Sequence, residues 1–192
     1  MAINTTSTNN KDTWIDEETP SATHGSDTQM LVTESYNTER YSLISFTLPS
    51  DLGTISKISL KLYDTGNGNP RVLECYQSAN TTWSEATANW TSDNGNISGS
   101  VIHSATCPSS AEWMTWDIRG GSATNPLTSL TWGNTVSFTL KTATLGNAGW
   151  LGGQFYTKEY TTDTTKQPYL EITYESTFNP SIARRRLLLA NM

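Results

Sequence analysis

The chain carries eighteen carboxylates, two histidines and two cysteines, and their spacing assembles no familiar reaction centre. Hydrolysis through a side-chain nucleophile needs a base within reach and a third group to orient it. His24 and His103 each stand alone in Ser/Thr-rich surroundings, and there is no Gly-x-Ser-x-Gly elbow. Zinc needs several His or Cys ligands at set spacings, and none occur. Gly149-Trp150-Leu151-Gly152-Gly153 has neither standard phosphate-loop spacing and reads as a flexible loop. Two carboxylates can flank a glycosidic bond, but nothing in the spacing of Asp16, Glu17, Glu18, Glu85 and Glu159 singles out a pair. Hard cations take carboxylate and carbonyl oxygens from loops, so Asp12 with Asp16, Glu17 and Glu18 forms a candidate structural calcium site. A solvated acidic loop is the competing reading of the same four residues. The expectation is a protein without catalytic residues and with no cofactor beyond that calcium.

Aromatic side chains are the remaining chemical resource, with seven Trp and eight Tyr in the chain. Sugar rings present apolar C–H faces that stack on Trp and Tyr, while nearby polar groups bind the hydroxyls. Trp116 shares an alternating face with Met114 and Ile118 and reads as core. Trp132, Trp150, Tyr156 and Tyr160 fall in or near loops and are the candidates for polysaccharide contact. Each has a competing reading as a cap on an edge of the core.

Strands must position these rings. The run Pro168-Tyr169-Leu170-Glu171-Ile172-Thr173-Tyr174 alternates strictly, with Leu170, Ile172 and Tyr174 on one face and Tyr169, Glu171 and Thr173 on the other. That is the period of a strand with one buried face. Comparable runs occur at residues 13–15, 29–33, 41–48, 58–63, 71–76, 100–103, 113–118 and 136–140, and the aromatic stretch from Phe155 to Tyr160 precedes the last. The turn Asp64-Thr65-Gly66-Asn67-Gly68-Asn69-Pro70 predicts an antiparallel hairpin between the runs on either side of it. The segment from Trp83 to Trp90 breaks the alternation and predicts a helical turn. Ser and Thr exceed a quarter of the chain, and helix formers are thin. Nine or ten short strands between turns predict an all-β sandwich or barrel. Cys75, in alternation with Leu73, reads as a buried thiol, and Cys107 sits beside Pro108; one disulfide is permitted but not required.

A net charge of −6 argues against a nucleic-acid partner. No segment approaches the ~20 apolar residues of a membrane span. The first residues lack the charged and apolar runs of a secretory leader, which predicts synthesis in a cytoplasm. The organisation expected is an N-terminal arm over residues 1–10, one β domain over 11–175, and a tail over 176–192. That tail differs in kind, with Ile182, Arg184, Arg185 and Arg186 followed by Leu187, Leu188 and Leu189. Leucines left exposed would form a sticky patch, so the tail reads as a docking segment for a partner chain, a second copy, or the domain itself.

Several blocks occur together in order: Lys11-Asp12-Thr13-Trp14-Ile15-Asp16, Arg40-Tyr41-Ser42-Leu43-Ile44-Ser45-Phe46-Thr47-Leu48, residues 55–63, Trp83-Ser84-Glu85 with Trp90, Phe155-Tyr156-Thr157-Lys158-Glu159, and the closing run from Pro168 to Tyr174. In this arrangement residues 11–175 resemble the DNRLRE domain family, which is grouped with carbohydrate-binding modules. The resemblance implies a two-sheet β-sandwich of jelly-roll type, here with short N- and C-terminal extensions, and a non-catalytic, often polysaccharide-binding role. It supplies no catalytic residues. Such modules usually sit within large secreted proteins. A module of this style made in a host cytoplasm fits a bacteriophage virion surface, as a decoration, cement or fibre component that assembles as a homo-oligomer or on a capsid or fibre partner. The alternative is an extracellular polysaccharide-binding module of a glycan-degrading system.

Overall fold

Alternation in the sequence becomes strand in the computed structural model, which describes residues 2–35, 38–50, 53–66, 71–143 and 151–176. Among these residues the strands are β1 Ala2–Asp16, β2 Gln29–Ser35, β3 Thr38–Thr47, β4 Gly53–Tyr63, β5 Val72–Gln77, β6 Ser98–Thr106, β7 Trp113–Arg119, β8 Thr135–Thr142, β9 Leu151–Tyr156 and β10 Tyr169–Ser176. The expected helical turn is present, with the Ala88 N–H donating to Ser84 O. One further turn of helix, α1 (Trp90–Asp93), is capped by the Asn89 side chain. No helix among the described residues is long and apolar enough to cross a membrane.

The strands form an antiparallel, two-sheet sandwich of jelly-roll type. One sheet sets β7, β4, β10 and the first half of β1 side by side. The other runs β6, β5, β8, β3 and the second half of β1, with β2 joined to β3 and β9 to β2. Strand β1 passes from one sheet to the other at a bulge between Asn9 and Lys11, the device that bends a strand sharply. Residues 2–10, expected within an arm over 1–10, are therefore part of the sheet, and Ala2 to Thr8 pair with β10. Their alternation is of Thr, Asn and Ser rather than of apolar residues, so hydrophobic periodicity does not register it.

The expected hairpin between residues 58–63 and 71–76 does not form. β4 pairs with β10 and β7, whereas β5 pairs with β6 and β8 in the opposite sheet. Each of these strands has one apolar face, and alternation specifies that face without specifying the neighbour.

Leu60, Leu62, Trp116, Leu170 and Ile172 of the first sheet meet Ile44, Phe46, Leu73, Phe138 and Leu140 of the second in the core. Trp116 is fully buried, and its Nε1–H donates across the sandwich to Leu73 O at 3.2 Å. Cys75 and Cys107 are both buried free thiols. The two outer faces differ. On the second sheet Ile15, Tyr41 and Leu43 are roofed by Trp83, Ala88, Trp90 and Ile97 of the connector between β5 and β6. Among the described residues, the outer face of the first sheet carries no such roof of apolar residues.

Candidate functional site

Strands β4, β7 and β10 present alternate residues on that open face. Leu60 and Leu62 point inward, so Lys61 and Tyr63 point out; Trp113 lies opposite Tyr63, and Tyr169 opposite Lys61. The rings of these strands touch. Trp113 stands edge-on to Tyr63 at 5.3 Å and to Tyr169 at 5.1 Å. An isolated bridge between Asp64 and Phe155 brings β9 against the end of β4. There Tyr63 stacks on Tyr156 at 6.1 Å, and Tyr156 stacks on Tyr160 at 3.7 Å. Five rings from four strands and one turn thus form a continuous row. Trp113, at 36% exposure, is one of the two large apolar side chains most open to solvent among the described residues.

Polar groups flank the row. Lys166 places its ammonium 5.0 Å from the centroid of Tyr63 and pairs with Asp163 at 3.3 Å. Lys61 donates to Thr115 Oγ1 at 2.9 Å and lies 3.5 Å from Glu171. Further along the same face the Asp117 carboxylate accepts from Ser59 Oγ at 2.7 Å and from Ser122 N at 2.7 Å, with Lys57 at 3.2 Å. Burial pushes the Asp117 carboxyl up, but these three donors outweigh it and hold the group below the usual carboxylate range. Apolar ring faces beside fixed donors and acceptors are the surface chemistry that a sugar's two kinds of face require.

The model of carbohydrate-binding module family 96 matches residues 3–174. The chain belongs to that family. No curated protein matches it. A family 96 module is a binding domain, of a class that is generally non-catalytic, and its match covers the whole sandwich, including the part of β1 that pairs with β10.

Within this family 96 module the sequence candidates are distributed unevenly. Tyr156 and Tyr160 are brought together. Trp132 is at the opposite end of β4, roughly 30 Å along the strand; it packs on the core and donates its Nε1–H to Gly53 O. It also lines a shallow cleft of about 410 Å³ with Arg119 and Leu130. Trp150 lies outside the described residues, as do Ile182, Arg184, Arg185, Arg186, Leu187, Leu188 and Leu189. Tyr63, Trp113 and Tyr169 escaped the sequence reading because they sit in strands. Their signal was available in the outward positions of the Lys61-Leu62-Tyr63 and Tyr169-Leu170-Glu171 alternations.

The four acids considered for calcium do not converge. Asp16 accepts from Thr19 Oγ1 and Glu18 N, both at 3.0 Å, and lies 3.3 Å from Arg40 Nε. Glu18 pairs with Arg40 at 2.7 Å, and Glu17 accepts from Glu39 N at 2.9 Å. Asp12 instead faces Glu85 and Glu159, and one carboxylate oxygen from each of the three lies within 4.8 Å of the others. Glu85 reaches Asp12 from the helical turn that follows Trp83, and Glu159 from the turn that follows β9.

Proposed function

We propose that this family 96 module binds an extended polysaccharide on the outer face of its first sheet, through the rings of Tyr63, Trp113, Tyr156, Tyr160 and Tyr169. The observation that carries the reading is the unbroken contact of these five rings on a face that, among the described residues, carries no roof of apolar side chains. A row of this length exceeds one sugar ring, which favours a polymer over a monosaccharide. The polar groups alongside it, Lys61, Glu171 and Lys166, supply partners for hydroxyls. The finer likeness of residues 11–175 to the DNRLRE domain family agrees with this reading.

Affinity electrophoresis tests it. The wild-type protein should be retarded in gels containing its polysaccharide, and a variant carrying Tyr63→Ala with Trp113→Ala should migrate as in a blank gel. Absence of retardation across neutral and acidic polysaccharides would sink the proposal, and so would equal retardation of the variant.

The virion reading adds a location and a docking tail to the same module. The family match supports the module, and the docking residues 182–189 lie outside those described, so binding to polysaccharide is the reading proposed. Attachment to a particle through the tail is tested by deleting residues 176–192, which should abolish incorporation into the particle and any self-association while the sandwich remains folded.

A further inference from the structure

We propose that Asp12, Glu85 and Glu159 hold a divalent cation, calcium by its chemistry, between β1, the helical turn after Trp83, and the turn after β9. The proposal does not rest on the polysaccharide reading.

Three carboxylate oxygens there are spoken for and two are stranded. Glu85 Oε1 accepts from Asp12 N at 2.7 Å and pairs with Lys158 Nζ at 2.8 Å. Asp12 is 1% exposed. Its Oδ2 accepts from Lys158 N at 2.8 Å and from the Asn9 amide, while its Oδ1 is buried without a hydrogen-bond partner. Glu159 Oε1 pairs with Lys158 Nζ, while its Oε2 is likewise buried and unpartnered. Leaving a buried charged oxygen unpaired is expensive, so each requires a proton or a cation. The carboxyls of Asp12 and Glu159 approach within hydrogen-bonding reach.

Charge and size then select the occupant. Three carboxylates and the Lys158 ammonium leave two negative charges, which one divalent ion neutralises. Lys11, the other cation near Glu85, donates instead to Thr81 O at 2.8 Å and Trp83 O at 2.7 Å. Oxygens that ligate calcium lie 2.3–2.6 Å from it, so ligands on opposite sides of the ion are up to about 5 Å apart. The three oxygens lie within 4.8 Å of one another and fit that sphere, whereas magnesium keeps several of its waters and is usually held by one or two carboxylates. Of the three acids, Glu85 also lines a cleft of about 470 Å³ with Lys11, Gly25, Ser26 and Trp83, the side from which water would complete the coordination.

Isothermal titration of metal-stripped protein with Ca²⁺ at pH 7.5, paired with thermal unfolding, tests the site. The wild type should bind one Ca²⁺ per chain, and its transition should rise saturably with Ca²⁺ and much less with Mg²⁺. Asp12→Asn and Glu159→Gln should each weaken Ca²⁺ binding at least tenfold. In Asp12→Asn the amide nitrogen can take the place of Oδ1 and donate to Glu159 Oε2. That variant should therefore match or exceed wild-type stability in chelator and fall below it in Ca²⁺, a crossing that a merely damaged fold does not produce. Wild type that takes up no Ca²⁺ at millimolar concentrations would overturn the proposal and leave a proton shared between Asp12 and Glu159. Uptake undiminished in both variants would overturn it as well, by placing the ion elsewhere.

Discussion

Replacing Trp113 by Ala should weaken polysaccharide binding by about 6- to 30-fold. A Trp side chain offers up to roughly 250 Å², and 36% of Trp113 is open to solvent. That leaves about 90 Å² for a sugar to cover. At about 25 cal/mol per Å², full coverage is worth about 2 kcal/mol, or about 30-fold in Kd; half coverage gives about sixfold. The same change removes two edge-on ring contacts, to Tyr63 and Tyr169, worth about 1 kcal/mol each. The variant should therefore lose about 2 kcal/mol of stability and remain folded. Trp113→Phe keeps an edge toward both neighbours and should fall between the two. Calorimetric titration with an oligosaccharide of the polysaccharide that retards the wild type, run below the thermal transition of every variant, gives the values. A folded Trp113→Ala protein whose Kd moves by less than twofold would refute the assignment of this face.

Asp117→Asn tests the polar part of the face through pH. The folded carboxyl lies below its unfolded value of about 3.9, so its contribution is fully present above that value and disappears as pH falls through the folded pKa. The variant should be about 1–3 kcal/mol less stable at pH 7, and the two unfolding curves should converge in acid, once pH has fallen through the folded pKa; a gap that persists there would deny the carboxylate its role. Gly152→Ala should cost about 3 kcal/mol, because Gly152 has φ +138° and a Cβ there would stand 2.0 Å from Val32 O in β2; near-wild-type denaturant midpoints would contradict this. Trp116→Phe leaves Leu73 O without its donor from the opposite sheet and should lower stability by about 2 kcal/mol or more, measured by urea unfolding.

The all-β class was legible because a single period recurs through the chain, and the inward residues of residues 58–63, 113–118 and 169–174 are those the alternation assigns to the core. Strand partnership was not legible. β4 and β5 are adjacent in sequence and each is apolar on one face, yet they lie in opposite sheets. Neither did apolar periodicity mark Ala2 to Thr8, whose place beside β10 is fixed by backbone hydrogen bonds and not by buried apolar side chains. The acid cluster was hidden for a related reason: Asp12, Glu85 and Glu159 are far apart in sequence, and only the meeting of two connectors with β1 assembles them. Proximity in the chain favoured Asp16, Glu17 and Glu18, which Arg40 and backbone donors already satisfy.

The ring row and the acid cluster share one turn, and this links their behaviour. Tyr156 and Tyr160 stack at 3.7 Å on one side of it, while Lys158 and Glu159 between them turn toward Asp12 and Glu85. The turn is tied at both ends, by Thr157 Oγ1 donating to Asp27 O at 2.7 Å and by Gln167 Nε2 donating to Tyr160 O at 3.1 Å. A cation drawing Glu159 toward Asp12 removes a repulsion from the middle of this turn, so less ordering is left for a bound glycan to impose. Calcium should then tighten polysaccharide binding by a few-fold in the wild type and leave Glu159→Gln unaffected. Equal glycan affinity in Ca²⁺ and in chelator, for a wild type shown to bind the ion, would mean that the Tyr156–Tyr160 stack and the two ties already hold the turn in its binding form.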